Sequence, residues 1–147
     1  MNSIKTSIVQ WNARGIRNKK SEILQLISQY NVQVLALQET QMPKRYYYRI
    51  PKYNMLGKDG TLNRRNHGGV AIYIHQDIPY SEVNLTTDIQ AVAATIHLKT
   101  KFTICNIYSS RSHPLTITNL TELFNQLPQP CMLLGDFNAY SLMWGCN

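Results

Sequence analysis

Asn12, Glu39, Tyr108, Asp136 and Asn138 stand where apolar runs stop. IVQW leads into Asn12, VLALQ into Glu39, FTICNI into Tyr108, and MLLG into Asp136 with Asn138 two residues on. Carboxylate oxygens suit a hard divalent cation, and amide or phenol donors suit the oxygens of a phosphate. Each residue alone has a plainer explanation. Asp and Asn are common at strand ends because their side chains satisfy local backbone groups. A Glu after a strand is usually a loop residue, and a strand-end Tyr usually packs. Four such ends in one chain point to Mg²⁺ chemistry on phosphate.

The elements that position these residues follow from hydrophobic spacing. Residues 4–11 predict a strand, and 19–30 a helix with Ile23, Leu24, Leu26, Ile27 and Tyr30 on one face, capped by Asn18 or Ser21. VQVLAL (32–37) fits a buried strand, which completes a βαβ opening. A basic stretch holding Pro43 and Pro51 predicts a long surface loop. HGGVAIYI (67–74) predicts a strand after a Gly-Gly turn, and 91–98 with 102–108 predict a hairpin. Leu120, Leu123, Phe124 and Leu127 mark a second helix ended by Pro128, and CMLLG a buried strand that delivers Asp136. The order is mixed α/β, and in such sheets ligands gather beyond the carboxyl ends of parallel strands.

A chain of 147 residues is one domain or part of one. Its three cysteines show no C-x-x-C spacing, so neither a zinc site nor a disulfide framework is expected. No run approaches a membrane span and no secretory leader is read, so an intracellular protein is expected. The net charge of +7 is uneven: residues 1–75 carry 12 Lys/Arg against 3 Asp/Glu, and residues 76–147 carry 3 against 5. Basic residues cluster at 14–20, 44–52 and 64–65, and Lys44, Arg45 and Arg49 interleave with Tyr46, Tyr47 and Tyr48. Cations attract phosphate and aromatic rings lie against sugars or bases, so a nucleic-acid face is one reading. A solvated basic surface is the other.

The motifs IVQWNARGI (8–16), LALQET (35–40), HGGVAIYI (67–74), NIYSS (106–110), LLGDFNA (133–139) and WG (144–145) resemble the endonuclease/exonuclease/phosphatase (exonuclease III-like) superfamily. Within it they are most similar to the apurinic-like endonuclease domain of non-LTR, LINE-type retrotransposon polyproteins, in the jockey-like branch. The motifs run through nearly the whole chain in family order. The resemblance implies a four-layer α/β sandwich, two packed mixed sheets flanked by helices. It implies one domain over 1–147 that is incomplete at its C-terminal end. It also implies a Mg²⁺-dependent (or Mn²⁺-dependent) endonuclease that nicks double-stranded DNA in the nucleus, beside the reverse transcriptase of the same polyprotein.

Carried onto this sequence, the resemblance makes Glu39 the metal ligand and has Asn12 steady the metal or its water shell. Asp136 would orient and deprotonate the attacking water, Asn138 would donate to a phosphoryl oxygen, and Tyr108 would contact the phosphate. On an extended backbone, residues two apart point to one side, which would let Asp136 and Asn138 act together. Arg14, Lys44, Arg45 and Arg49 would bind nucleic acid. There are departures. Repair-type apurinic enzymes have Asp where this chain has Arg14, which favours the retrotransposon branch. Tyr140 stands where the jockey-like branch often has His. The Ser-Asp-His motif is absent from the sequence, and His67, His75, His97 and His113 do not replace it. The 147 residues alone are therefore expected to be inactive. The alternatives are an inactive remnant that retains nucleic-acid binding, or a repair-type apurinic endonuclease or phosphoesterase.

Replacing Lys44 and Arg45 with Ala should weaken duplex binding equally for all sequences and flatten its salt dependence by about one slope unit per cation. Fluorescence anisotropy across a salt series measures both. An affinity indifferent to salt would refute an electrostatic face.

Overall fold

A computed structural model of the chain describes residues 5–43, 48–60 and 67–139. Two four-stranded sheets pack face to face. Sheet 1 has the order β1-β2-β4-β3, built from β1 (Ile8–Asn12), β2 (Val34–Gln38), β3 (Tyr53–Lys58) and β4 (Val70–His75). Sheet 2 has the order β5-β6-β7-β8, built from β5 (Tyr80–Val83), β6 (Gln90–His97), β7 (Lys101–Tyr108) and β8 (Cys131–Asp136). In each sheet one outer pair is parallel, β1 with β2 and β7 with β8, and the remaining pairs are antiparallel. Helix α1 (Lys20–Tyr30) links the first parallel pair and α2 (Ile117–Phe124) the second. Each lies on the outer face of its own sheet, giving the four layers of an α/β sandwich.

Central strands here are covered on both faces, so they read as continuous apolar runs rather than as alternation. β2 and the first five residues of β4 are buried throughout. Between the sheets, Val34, Ile72 and Ile74 meet Val92, Ala94, Ile96 and Ile104. Under α1, Ile23 packs on Leu35, Leu37 and Tyr73; under α2, Leu123 packs on Ala93, Cys105 and Ile107.

The four strands of the two parallel pairs change character along their inward faces. With a period of two, Ile8 is followed by Gln10 and Asn12, Val34 by Ala36 and Gln38, Ile104 by Asn106 and Tyr108, and Leu134 by Asp136. The interface is therefore apolar at one end and polar at the other. Where it turns polar, the amides satisfy one another. Gln10 Nε2 donates to Gln38 Oε1 at 2.5 Å, and Gln38 Nε2 donates to Asn106 Oδ1 at 2.5 Å. Asn106 Nδ2 crosses between the sheets to the carbonyls of Leu37 (2.8 Å) and Ala71 (2.9 Å). Gln38 and Asn106 are fully buried.

Several sequence expectations are corrected. β3 falls inside the predicted loop, and Met42 and Ile50 of that stretch are buried. β5 forms in a stretch where the sequence predicts no element. HGG forms a turn before β4, with Gly68 and Gly69 at positive φ. Neither Asn18 nor Ser21 caps α1; Lys19 occupies the cap position without a side-chain bond, and its ammonium pairs with Glu22 at 3.0 Å. Leu24 and Tyr30 are exposed, leaving Ile23, Leu26 and Ile27 to face the sheet. Helix α2 ends at Phe124, before Pro128, and a capping box of Thr116 with Asn119 starts it. β8 is half-buried rather than buried, with Met132 exposed.

Asn106→Leu keeps the volume but leaves Gln38 Nε2 only its 3.4 Å bond to the Ala36 carbonyl and removes the side-chain bonds that reach Leu37 and Ala71 across the interface. It should cost about 1–3 kcal/mol, since a buried amide that loses its good partner pays much of its desolvation. Urea denaturation should show a lowered midpoint with unchanged slope. A loss well under about 1 kcal/mol would mean that apolar packing alone sets the interface.

Candidate active site

The strand topology brings four carboxyl ends together, those of β1, β2, β7 and β8. Asn12 is the hub. Its Nδ2 donates to Glu39 Oε1 at 2.8 Å and to Asp136 Oδ2 at 2.7 Å. Its Oδ1 accepts from the backbone N–H of Arg14 at 3.1 Å, which fixes the amide's orientation. One side chain from sheet 1 thus ties a carboxylate of its own sheet to a carboxylate of the other. A cavity of about 480 Å³ opens beside this cluster, lined by Gln10, Asn12, Gly135, Asp136, Phe137, Asn138 and Ala139.

Glu39 takes its place through backbone strain. Its φ is +47°, a conformation that costs a side-chain-bearing residue about 1–3 kcal/mol. Hydrogen bonds on both sides hold it there. Gly15 N–H donates to the Glu39 carbonyl at 2.8 Å, and Ile16 N–H to the Thr40 carbonyl at 3.0 Å. On the other side, Thr40 N–H donates to Gly69 and Gln41 N–H to Gly68. A Cβ on Gly69 would lie 2.5 Å from Thr40 Oγ1, so the Gly-Gly turn is required for this close approach.

Asp136 and Asn138 are arranged differently from the extended-strand expectation. Asn138 lies beyond β8 with φ +44°, and its backbone N–H donates to Asp136 Oδ1 at 3.0 Å. This local turn replaces the side-by-side projection of an extended chain. Asn138 Nδ2 donates one proton to the Ser109 carbonyl at 2.7 Å, which leaves its second N–H as a donor.

Tyr108 is half-buried and sits beside Asp136 in the β7–β8 register. Burial, then the nearby Glu39 carboxylate and the charge of Asp136 push its phenol up to about 12. At neutral pH it is a proton donor, not a phenolate.

Glu39 and Asp136 share one amide, and among the described residues no group of three or more His, Cys, Asp or Glu is placed to hold a metal. Two carboxylates brought within one amide of each other fit Mg²⁺, which keeps several waters and takes one or two protein carboxylates. They do not fit zinc, which takes nitrogen and sulfur ligands in a closed tetrahedron.

Of the predicted nucleic-acid residues, Arg14 and Arg49 are exposed. Lys44 and Arg45 lie outside the described residues, as do Tyr46, Tyr47, Arg64, Arg65, Tyr140 and Trp144. Tyr48 is spent on packing: it lies against the core under α1, and its carbonyl accepts from Tyr73. His75 meets Tyr53 edge-on and pairs with Asp77, and His97 bonds to Ser81. Sequence reasoning missed Gln10, Gln38 and Asn106. A lone amide inside an apolar strand was the signal available for Asn106.

Residues 9–147 match the Endonuclease/Exonuclease/phosphatase family. The chain belongs to this family. It is 24% identical over 92% of its length to an RNA-directed DNA polymerase from the mobile element jockey of Drosophila melanogaster. It is 24% identical over its full length to a probable RNA-directed DNA polymerase from transposon BS of the same organism. The chain spans only 15% and 17% of those two relatives. Among solved structures it resembles the endonuclease domain of TRAS1, a telomere-specific non-LTR retrotransposon. There the TM-score is 0.68 at 18% identity, over 96% of this chain and 63% of that one. It also resembles an AP endonuclease from Archaeoglobus fulgidus, with TM-score 0.62 at 16% identity over 92% and 58%. These likenesses bear out the expected fold.

The raised Tyr108 pKa has a direct check. Tyrosinate absorbance, compared between wild type and Tyr108→Phe, should show this phenol ionising near pH 12. Its contribution to stability is full below the unfolded value of about 10 and is lost as pH rises through the folded value. Glu39→Gln should lower the pKa only part-way, because burial is the larger cause. Ionisation at an ordinary tyrosine pH in wild type would contradict the geometry.

Proposed function

We propose that this chain is a metal-dependent DNA endonuclease unit that hydrolyses a phosphodiester, in the setting of a non-LTR retroelement polyprotein with a reverse transcriptase. The observation that carries this reading is the Asn12 amide shared between Glu39 and Asp136. Family membership and the likeness to retroelement relatives support it. The retroelement setting implies action on chromosomal DNA in the nucleus.

Glu39 would hold Mg²⁺ as its principal protein ligand, with water filling the rest of its shell. Bound there, the ion would offset charge on the scissile phosphate. Asp136 orients a water and accepts its proton as the oxygen attacks phosphorus. The bond to the leaving 3′-oxygen breaks, and that oxygen takes a proton from solvent to leave as the hydroxyl, while Asp136 returns its proton to solvent. The spare N–H of Asn138 and the phenol of Tyr108 donate to the phosphoryl oxygens as charge builds on them. Asn12 is a positioning residue, since both its N–H bonds go to the carboxylates. Among the described residues no histidine joins this cluster, and the family's Ser-Asp-His motif is absent from the sequence. Groups that act as a unit fail together. The 147 residues alone should therefore nick DNA far more slowly than a polypeptide that also carries a family-typical Ser-Asp-His half.

Two measurements test this. Mn²⁺ binding followed by electron paramagnetic resonance should be present in wild type and weakened at least about tenfold by Glu39→Gln, which keeps shape and removes charge. In the extended polypeptide, Mg²⁺ should support nicking of supercoiled plasmid, and EDTA or Glu39→Gln should abolish it. Equal nicking by wild type and mutant would sink the assignment.

A further inference from the structure

The end of the sandwich opposite the Asn12–Glu39–Asp136 cluster carries a second concentration of charge. The strand register gathers the starts of β1, β3 and β7 and the ends of β4 and β6 there: Ile8 is beside Val34, Val34 beside Ile74, Tyr53 beside His75, and His97 beside Lys101. Lys5 leads into β1, Arg49 and Lys52 lead into β3, and Lys99 and Lys101 belong to the turn that joins β6 to β7. All five are exposed. Backbone bonds hold these connections together. The Ser7 carbonyl accepts from Gln33 N–H at 2.9 Å, the Gln33 carbonyl from His75 N–H at 2.9 Å, and the Lys52 carbonyl from Gln76 N–H at 2.8 Å. The Pro79 carbonyl accepts from His97 N–H at 2.8 Å, which carries the series of contacts across to sheet 2.

The charge at this end is unbalanced. Asp77 is the only carboxylate among the described residues of these connections, and it pairs with His75 at 3.5 Å. No described carboxylate pairs with any of the five cations. The two other connections that reach this end, 31–33 and 125–130, hold no charged residue. Like charges gathered without counter-charges repel one another in the folded protein, and a bound polyanion relieves that repulsion.

Arg49 comes from the stretch that the sequence assigns to a nucleic-acid face, yet it lies at the far end of sheet 1 from Glu39. The five residues of β2 and the eight of β7 separate the two ends by about 15–25 Å. Duplex DNA has a persistence length of about 150 bp and cannot fold back over that distance. A duplex held at Glu39 therefore leaves this end open to another. The cations run from β1 at one edge of sheet 1 to β3 at the other, a band about 15 Å wide. Four of the five are lysines, whose point charges suit phosphates bound without regard to sequence. A single strand would need open rings to stack on, and the rings on the strands that start here, Tyr53, Tyr80 and Phe102, pack against the cores. We infer that this end is a second nucleic-acid surface, which holds the phosphate backbone of a separate DNA duplex while the cleft holds the one to be cut. The protein thereby bridges two duplex segments. The part played by the cleft rests on the nuclease reading, and the second surface does not.

The test titrates the 147-residue protein with a short fluorescent duplex across a salt series. Anisotropy reads the affinities and sedimentation velocity the stoichiometry. At low salt, wild type should bind two duplexes per protein. Lys52→Ala, Lys99→Ala and Lys101→Ala made together should remove one of them, weakening it at least about tenfold and lowering its salt slope by about three. The melting temperature should not change, because the three side chains are exposed and unpaired. Two duplexes still bound by the triple variant would overturn the second surface and leave the nuclease reading standing. So would a single duplex bound by wild type with an affinity and salt slope that the variant retains. A single duplex bound by wild type and lost in the variant would support the second surface and count against duplex binding in the cleft. No salt-dependent binding at all would overturn both.

Discussion

The hydrogen bonds of Gln38 and Asn106 across the sheet interface are the constraint on which the site depends. Two apolar sheet faces can pack at several offsets with little change in buried area. Two buried amides cannot, because a shift of one residue would break the bonds of Gln38 and Asn106 across the interface and leave those side-chain amides short of partners. The relay therefore converts a non-directional attraction into one relative placement. Each member lies one or two residues before a site residue in the chain: Gln10 before Asn12, Gln38 before Glu39, Asn106 before Tyr108. Fixing the amides fixes the height of three of the strand ends at once, and the bond from Asn12 to Asp136 adds the fourth.

That placement lets the loops beyond the strands carry strain. Arg14, Glu39, Gln41 and Asn138 all have positive φ, and all lie within or next to the cluster. Such conformations persist only where surrounding bonds over-determine them. The loop after β1 and the turn before β4 supply those bonds to Glu39 from both sides. Gly135 plays a comparable part in β8. A Cβ there would collide with the Ile107 carbonyl, so only glycine lets β8 approach β7 closely enough to present Asp136 beside Tyr108.

The sequence made the covered strands legible, because β2, β4, β6 and β7 are apolar on both faces and bounded by polar residues. It made the four strand ends legible for the same reason, since a carboxylate after an apolar run has few places to go. β3 and β5 were illegible because they are edge strands, half-exposed and mixed in composition, so neither alternation nor a continuous run marks them. The relay was illegible because an amide in a strand carries no sign of its partner on another strand. Period-two reasoning misjudged Asp136 and Asn138 because the strand ends at Asp136, and Asn tolerates the left-handed turn that follows.

The uneven charge takes on meaning once the fold is known. The basic half of the sequence, residues 1–75, is the part that builds sheet 1, which closes with β4 at His75; residues 76–147 contain all of sheet 2. Among the described residues of that basic half, Arg14, Arg17, Lys20, Arg49 and Lys52 are exposed. Exposed cations of one sign on one side of a molecule attract a polyanion to that side. Glu39 sits on the attractive side and Asp136 on the other. On the proposed nuclease reading, that asymmetry would draw a phosphate backbone to the sheet 1 side, where it would face Asp136 on sheet 2.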